Sequence, residues 1–314
     1  MRVAIVTPAY NVASCIGETI GSVLAQSYPD WAMVVVDDGS TDATAEIVAG
    51  FADPRIRLIR QANGGVSTAR NCGLDAAVGV DAFLLLDGDD LLAPNALSRL
   101  VAALEADPGA VAACGLSAYV SEDGARRTHP ASRQLAGGDF LGALLERNLF
   151  ANGGHLLIRG RAAAGLGGFR PGIAYGEDWE YWVRLALTGP FAVVAGRAPV
   201  LFVRQRPSGA YLRLAGDPDS FIDCMEAIFG NPDLIQRLGA SAVLRARRRA
   251  EAENAWIIGR ERIRHGKNRE GRRWLRRSVR TKPSARRIGL LAYAHLLAVL
   301  PQGLRGPFRG YSTG

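Results

Sequence analysis

The chain has few of the residues that staple small folds together. Among its 314 residues are four cysteines, Cys15, Cys72, Cys114 and Cys224, far apart and without a CxxC pair. That excludes a disulfide-rich secreted scaffold and argues against a zinc ribbon or a thioredoxin-type site. Lysine is almost missing: Lys267 and Lys282 are the only two, so the basic charge is nearly all arginine. Long apolar runs are missing too. The longest charge-free one near the end, Ile288–Leu300, has 13 residues and is closed by Pro301. As a helix it would reach roughly 20 Å, short of the ~30 Å hydrocarbon layer, so it is expected to lie on a membrane or pack in a core rather than cross. The opening Met1-Arg2-Val3-Ala4-Ile5-Val6 is too short for the apolar part of an export signal, and none is expected. No GxGxxG follows the first strand candidate. Thr7-Pro8-Ala9-Tyr10 stands there instead, which disfavours a nicotinamide-dependent oxidoreductase. Repeats and low-complexity linkers are also lacking.

What is present is an ordinary globular balance, 48% hydrophobic and 22% charged, enough for one large domain or two ordinary ones. The charge is unevenly spread. Residues 1–230 hold 18 basic and 25 acidic side chains, whereas residues 231–314 hold 20 basic and 5 acidic. An acidic body carries a strongly basic tail.

The first 120 residues alternate between short apolar runs and helical spacing. Val3–Thr7, Trp31–Val36, Arg55–Ile59 and Ala82–Leu86 read as strands, and Ala110–Val120 is strand-like. Helices are expected over 12–26, after Asp42, up to about Ala77, and from Pro94. Alternation of this kind predicts a mostly parallel sheet covered on both faces, with ligands in the crevice beyond the carboxyl ends of its strands. The polar clusters all follow strands at that end: Asn11, Asp37-Asp38, Asn63-Gly64-Gly65, and Asp87-Gly88-Asp89-Asp90. Each alone is an ordinary turn sequence; four on one edge point to a shared site. After residue 120 the alternation stops. His155–Arg159 reads as a short strand, Phe191–Ala195 and Val200–Val203 as edge strands, and the chain from Pro232 onward as arginine-rich helices.

Asp87 and Asp89, on either side of a glycine, suit a hard divalent cation such as Mn²⁺ or Mg²⁺ whose other ligands are water and phosphate oxygens. The competing reading is a helix cap before Pro94. Asp37-Asp38 could accept from a base N–H or a ribose hydroxyl, or form an Asx turn. Arg70 suits an acidic partner or a nucleotide, or is a surface arginine. Glu177-Asp178 opens a helix, where carboxylates are favoured in any case. A partly buried carboxylate between Gly176 and Trp179, Tyr181 and Trp182 is also a fair general base, and the Trp179 ring could stack on a sugar.

Taken in order, VTPAYN at 6–11, VDDGSTD at 36–42, NGGVSTARNCGL at 63–74, LLLDGDD at 84–90 and GEDWEYW at 176–182 resemble the family 2 glycosyltransferases, over roughly residues 1–205. The resemblance implies a glycosyltransferase A fold, α/β with a Rossmann-like, mostly parallel central sheet flanked by helices, here with a C-terminal helical extension. It implies a nucleoside-diphosphate sugar as donor, UDP being the first expectation, and transfer to an acceptor hydroxyl with inversion. Pro8, Tyr10, Asp37, Asp38 and Arg70 would hold the nucleoside. Asp87 and Asp89 would be the metal-binding pair, Asp89 the direct ligand. Asp178 would be the catalytic base, with Glu177 shaping the site and Trp179 supporting the acceptor. Many relatives have a histidine beyond the acidic pair that helps bind metal or diphosphate. Here Val203-Arg204-Gln205-Arg206-Pro207-Ser208 occupies that region, and His129, His155, His265 and His295 lie elsewhere. Arg204 or Arg206 would meet the diphosphate instead.

The expected organisation is a nucleotide-sugar half (1–120), an acceptor half (121–215) and a basic helical region (216–314). The acceptor expected is a hydroxyl, such as that of a lipid-linked glycan, in bacterial surface polysaccharide or glycoconjugate synthesis. The tail has three readings: solvated faces of packed helices, attachment to an anionic membrane surface, and nucleic-acid binding, the last ranked lowest for want of a motif. The expected location is cytoplasmic, peripheral on the inner membrane if the tail binds lipid. The alternative function is a non-catalytic sugar-nucleotide-binding protein that uses the tail for interaction.

Overall fold

The computed structural model describes residues 1–123, 127–129, 138–206, 217 and 219–299. Pro207, Ser208, Leu300 and Pro301, singled out above, lie outside them. The elements run β1 (Val3–Ala9), α1 (Ile16–Leu24), β2 (Trp31–Asp37), α2 (Thr44–Ala49), β3 (Ile56–Arg60), α3 (Val66–Ala76), β4 (Ala82–Leu85), β5 (Leu91–Leu92), α4 (Ala96–Ala106), β6 (Ala112–Cys114), β7 (Leu116–Val120) and β8 (Arg127–His129). They continue with α5 (Leu141–Leu144), β9 (Leu156–Arg159), α6 (Gly160–Leu166), α7 (Glu177–Thr188), β10 (Phe191–Val193) and β11 (Pro199–Arg204). Five helices close the described chain: α8 (Ile222–Phe229), α9 (Pro232–Leu238), α10 (Ala240–Arg264), α11 (Asn268–Thr281) and α12 (Ala285–Val299).

The main sheet has seven strands in the order β10-β6-β9-β4-β1-β2-β3. All its pairings are parallel except those of β9, which runs against both β4 and β6. Its inner strands are buried on both sides, whereas the edge strand β3 is partly exposed. Ile5, Val35 and Leu84 face a core with α1 and α4, while Val6, Leu85 and Ile158 face the core that holds α7. Helix α3 lies close on β1 and β2. A Cβ on Gly73 would meet Val6 Cγ1 at 2.3 Å, so glycine sets how near the helix can come.

Two strand expectations are corrected. Ala110–Val120 is not one strand. It splits at Gly115, where a Cβ would stand 2.5 Å from Val200, and its two pieces join different sheets. The second sheet has the order β5-β11-β7-β8, so β11 is an inner strand and not an edge strand. Pairing with β5 and β7 satisfies its backbone on both sides.

The basic tail is not an appendage. Phe221, Cys224, Met225, Ile228, Leu234, Val243, Ala250 and Ile258 belong to the same core as Trp179 and Trp182. Many of its arginines are paired: Arg247 with Glu226 and Glu251, Arg277 with Glu251, Arg262 with Glu270, and Arg287 with Glu253. Helix α12 packs one side, Leu290, Ala294 and Leu297, against Trp256, Ile263 and Leu275. Among the described residues no helix is long and apolar enough to cross a membrane.

Candidate active site

Parallel register brings the polar clusters to one edge. Ala9 at the end of β1 pairs with Asp37 at the end of β2, and β4 lies on the other side of β1, so residues 10–11, 37–38 and 87–90 leave adjacent strands together. Pro8 is buried inside β1, whereas Tyr10 is 50% exposed at the strand end.

Asp37 and Asp38 are buried; Asp38 is spent on the protein, whereas Asp37 Oδ2 has no hydrogen-bond partner among the described residues. Asp37 Oδ1 accepts from the Ser40 N–H at 3.0 Å, and its Oδ2 lies 3.4 Å from Arg60 Nε. Asp38 accepts from Gln61 Nε2 at 2.7 Å, from the Gly64 N–H at 2.9 Å and from the Gly65 N–H at 2.8 Å. It pins the Asn63-Gly64-Gly65 loop that leads into α3.

Arg70, on the face of α3 that meets the sheet, is 4% exposed. Its Nη2 donates to Asp87 Oδ1 at 2.9 Å and its Nη1 to Glu177 Oε1 at 2.8 Å. The guanidinium also lies 5.2 Å from the centre of the Phe169 ring. Burial opposes its charge, but Asp87, Glu177 and Asp178 outweigh burial and raise its pKa further. One buried arginine therefore joins the strand-end aspartates to an acidic pair 90 residues later in the chain.

Glu177 and Asp178 start α7. Gly176, with φ +81°, turns the chain into the helix, and a Cβ there would stand 2.7 Å from Cys224 Sγ. The Cys224 thiol donates to the Gly176 carbonyl at 3.1 Å. Asp178 Oδ1 accepts from Asn148 Nδ2 at 3.1 Å and from the Trp179 N–H at 2.6 Å. Burial first, then the charge of Glu177 beside it, push the Asp178 carboxyl up to about 7, against the pull of Arg70. A carboxyl poised there can take a proton near neutral pH.

The aspartates after β4 divide in two. Asp90 is 2% exposed; it accepts from the Arg204 N–H at 2.8 Å and from Asn152 Nδ2. It does not cap α4, whose N-cap is Asn95. The side chains of Asp87 and Asp89 are 27% and 28% exposed. Asp89 Oδ2 accepts from Arg206 Nη1 at 3.0 Å. Burial and the neighbouring Asp87 charge raise the Asp89 pKa against Arg206. Two accessible carboxylates of like charge side by side fit Mn²⁺ or Mg²⁺, which commonly take one or two protein carboxylates plus phosphate and water oxygens. The described residues contain no cluster of three or more histidine, cysteine or acidic side chains that would hold a metal alone.

Two sequence expectations change here. Trp179 does not present a stacking face: it is 2% exposed and its Nε1 donates to the Leu144 carbonyl at 2.6 Å. Arg204 is not free for a diphosphate. Its Nε donates to the Asp89 carbonyl at 2.9 Å, its Nη2 to Glu18 at 2.7 Å and its Nη1 to the Glu122 carbonyl. Arg206 is the arginine at the accessible side. Asn148, Phe169 and Cys224 were not foreseen. They come from stretches without readable periodicity, and only contact across the fold reveals them.

Residues 4–163, half of the chain, match the profile described as Glycosyl transferase family 2. The chain belongs to glycosyl transferase family 2. It is 39% identical over 129 residues to "Uncharacterized glycosyltransferase EpsJ" of Bacillus subtilis (strain 168), covering 40% of this chain and 36% of that protein. It is 42% identical over 123 residues to "Succinoglycan biosynthesis protein ExoO" of Rhizobium meliloti (strain 1021), covering 39% and 35%. The family 2 chain thus aligns with only about a third of the length of these relatives. Among solved structures it is similar to S. aureus TarS 1-349 in complex with UDP-GlcNAc, at TM-score 0.67 and 18% identity, covering 94% of this chain and 88% of that one. It is also similar to the mannosyltransferase PcManGT from Pyrobaculum calidifontis in complex with GDP-Man and Mn2+, at TM-score 0.60 and 21% identity, covering 95% and 81%. The architecture is the glycosyltransferase A fold.

Proposed function

We propose that this family 2 chain transfers a sugar from a nucleoside-diphosphate sugar to an acceptor hydroxyl with inversion at the anomeric carbon. The observation that carries the reading is the Arg70 bridge from Asp87 to Glu177, which brings a strand-end aspartate pair to a half-buried acid poised near neutrality. Residues 1–120 would form the donor half and 121–215 the acceptor half, with 216–314 as the helical extension.

Tyr10, half exposed at the strand end, would face the base, and Asp37 the ribose or base edge. Asp38 would act through the loop it pins. Asp87 and Asp89 would hold Mn²⁺ or Mg²⁺, which when bound offsets charge building on the diphosphate. Arg206 would add a second positive charge there. Asp178 takes the proton from the acceptor hydroxyl as that oxygen bonds to the anomeric carbon. The bond from that carbon to the diphosphate oxygen breaks on the opposite face, and the nucleoside diphosphate leaves. One displacement inverts the configuration, and no second nucleophile is required. Glu177 keeps Arg70 charged and in place.

The TarS and PcManGT complexes, with UDP-GlcNAc and with GDP-Man and Mn2+, support a nucleotide-sugar donor and a divalent cation, and UDP remains the first expectation for the base. The ExoO name supports a place in polysaccharide synthesis, where a lipid-linked glycan at the inner membrane would be a suitable acceptor. A melting-temperature panel with UDP-, GDP-, dTDP- and CDP-sugars, with and without Mn²⁺, tests the donor, because a ligand that binds only the folded state stabilises it. At ligand 100 times its Kd the gain is about 2.7 kcal/mol. A flat panel across all donors, with metal present, would rule the reading out.

A further inference from the structure

Helix α11 carries a stripe of arginine that the transfer chemistry does not use. Arg269, Arg273, Arg276 and Arg280 are spaced by four, three and four residues, so they share one helical face, and all four are exposed. The stripe runs about 16 Å along the helix. The opposite face, Gly271, Leu275 and Ser278, is buried. Glu270 is the one acid of this helix, and it is paired with Arg262 of α10. Among the described residues, Arg269, Arg273 and Arg280 have no acidic partner.

Helix α12 beside it has no acid at all. Its outer face is apolar: Ala285, Ile288, Gly289, Ala292 and Leu296 are exposed, Ile288 and Leu296 each by 51%. The two stripes adjoin, because Arg276 Nη2 lies 3.1 Å from His295 Nε2, one position before Leu296. Like charges held in a row cost stability unless something neutralises them, and exposed Ile and Leu beside them gain from leaving water.

We propose that the adjoining faces of α11 and α12 form a docking surface for an anionic lipid bilayer. The arginine stripe meets headgroup phosphates, and Ile288, Ala292 and Leu296 enter the boundary between headgroups and acyl chains. Interfacial helices divide their labour in this way, with basic charge and apolar side chains on adjacent strips. A nucleic acid would reward the arginines and leave the apolar strip in water, so the pair of strips selects the membrane. The surface is independent of the transfer reading, since none of its residues belongs to the Arg70 cluster.

The test is co-sedimentation of the full chain with vesicles of phosphatidylcholine, alone or with about one-third phosphatidylglycerol, at about 0.1 and 0.5 M salt. Binding is expected only to the anionic vesicles and should weaken at high salt. Replacing Arg269, Arg273 and Arg280 by Gln should weaken it about 100-fold, roughly fivefold per arginine. Ile288→Ser with Leu296→Ser should weaken it about tenfold and remove the part that survives high salt. Arg57→Gln with Arg197→Gln, two exposed arginines on the catalytic body, should change nothing. Failure to sediment with anionic vesicles at low salt overturns the proposal, as does an equal loss in the Arg57/Arg197 control. A loss confined to the arginine variant also overturns it, because that outcome describes a bare polyanion site.

Discussion

The two strands that flank β1 lead into nearly the same letters, Val36-Asp37-Asp38-Gly39 and Leu86-Asp87-Gly88-Asp89-Asp90, yet their carboxylates have opposite fates. After β2 both acids are buried and Asp38 is consumed, with both oxygens on the Gln61–Gly65 loop. After β4 one acid, Asp90, is consumed in the same way, while Asp87 and Asp89, each held by one arginine, stay accessible and act on each other as like charges. A carboxylate that is fully hydrogen-bonded by the protein holds backbone in place. One left with lone pairs and a like-charged neighbour is available to a cation or a substrate. Composition cannot distinguish them; partners can. Asp178, half-buried, belongs with the available group, because its surroundings leave it easily protonated.

The largest effect should come from Asp178. Asp178→Asn should cut transfer about 10²–10⁴-fold, the usual share of a general base, with donor-induced stabilisation kept. Stability should move the other way. Unfolded, the carboxyl ionises near its ordinary 3.8; folded, it holds its proton up to about 7. Native stability is therefore lost relative to the Asn variant as pH rises from about 4 to about 7. Above that range the gap in melting temperature should stay constant. A gap that narrows with rising pH would contradict the assignment.

The arginines of β11 sharpen the same contrast. Arg204→Gln should destabilise by about 1–3 kcal/mol, because it takes their donor from the Asp89 and Glu122 carbonyls. Arg206→Gln should leave the melting temperature nearly unchanged and raise donor KM about fivefold, the loss of roughly 1 kcal/mol at a partly exposed contact. Thermal melts and donor titrations read the two separately. If both variants unfold alike, the division between structural and accessible arginine fails.

The aspartates themselves supply the same kind of test. Asp38→Ala should cost about 2–4 kcal/mol by releasing three donors and should make the 61–65 loop more sensitive to proteases. Asp89→Asn should keep the fold and lose the added stabilisation that Mn²⁺ gives a bound donor. The comparison breaks if Asp38→Ala melts normally.

Much of the catalytic body was legible because its signals are local. A β-branched run of five residues, the polar cluster behind it and the next amphipathic stretch announce a strand, a site edge and a helix without knowledge of the rest. The gathering of the polar clusters on one edge of a mostly parallel sheet follows from that alternation. What was not legible depends on distant contacts. Ala110–Val120 divides because Val200, far along the chain, crowds Gly115. Trp179 turns inward because the Leu144 carbonyl offers its indole a partner. Arg204 and Arg206 differ by two positions, and only Glu18, Asp89 and the Glu122 carbonyl decide which one is tied down.

The thiol of Cys224 on the Gly176 carbonyl has a practical consequence. The turn that positions Asp178 is braced from a helix that follows the sheet-forming part of the chain. A version trimmed back to the strands and loops bearing the sequence signatures would still contain every one of them. It would nonetheless lack the helix that holds the Gly176 turn before Asp178. Engineering that swaps the C-terminal helices between relatives to redirect location should therefore carry α8 along with the catalytic body.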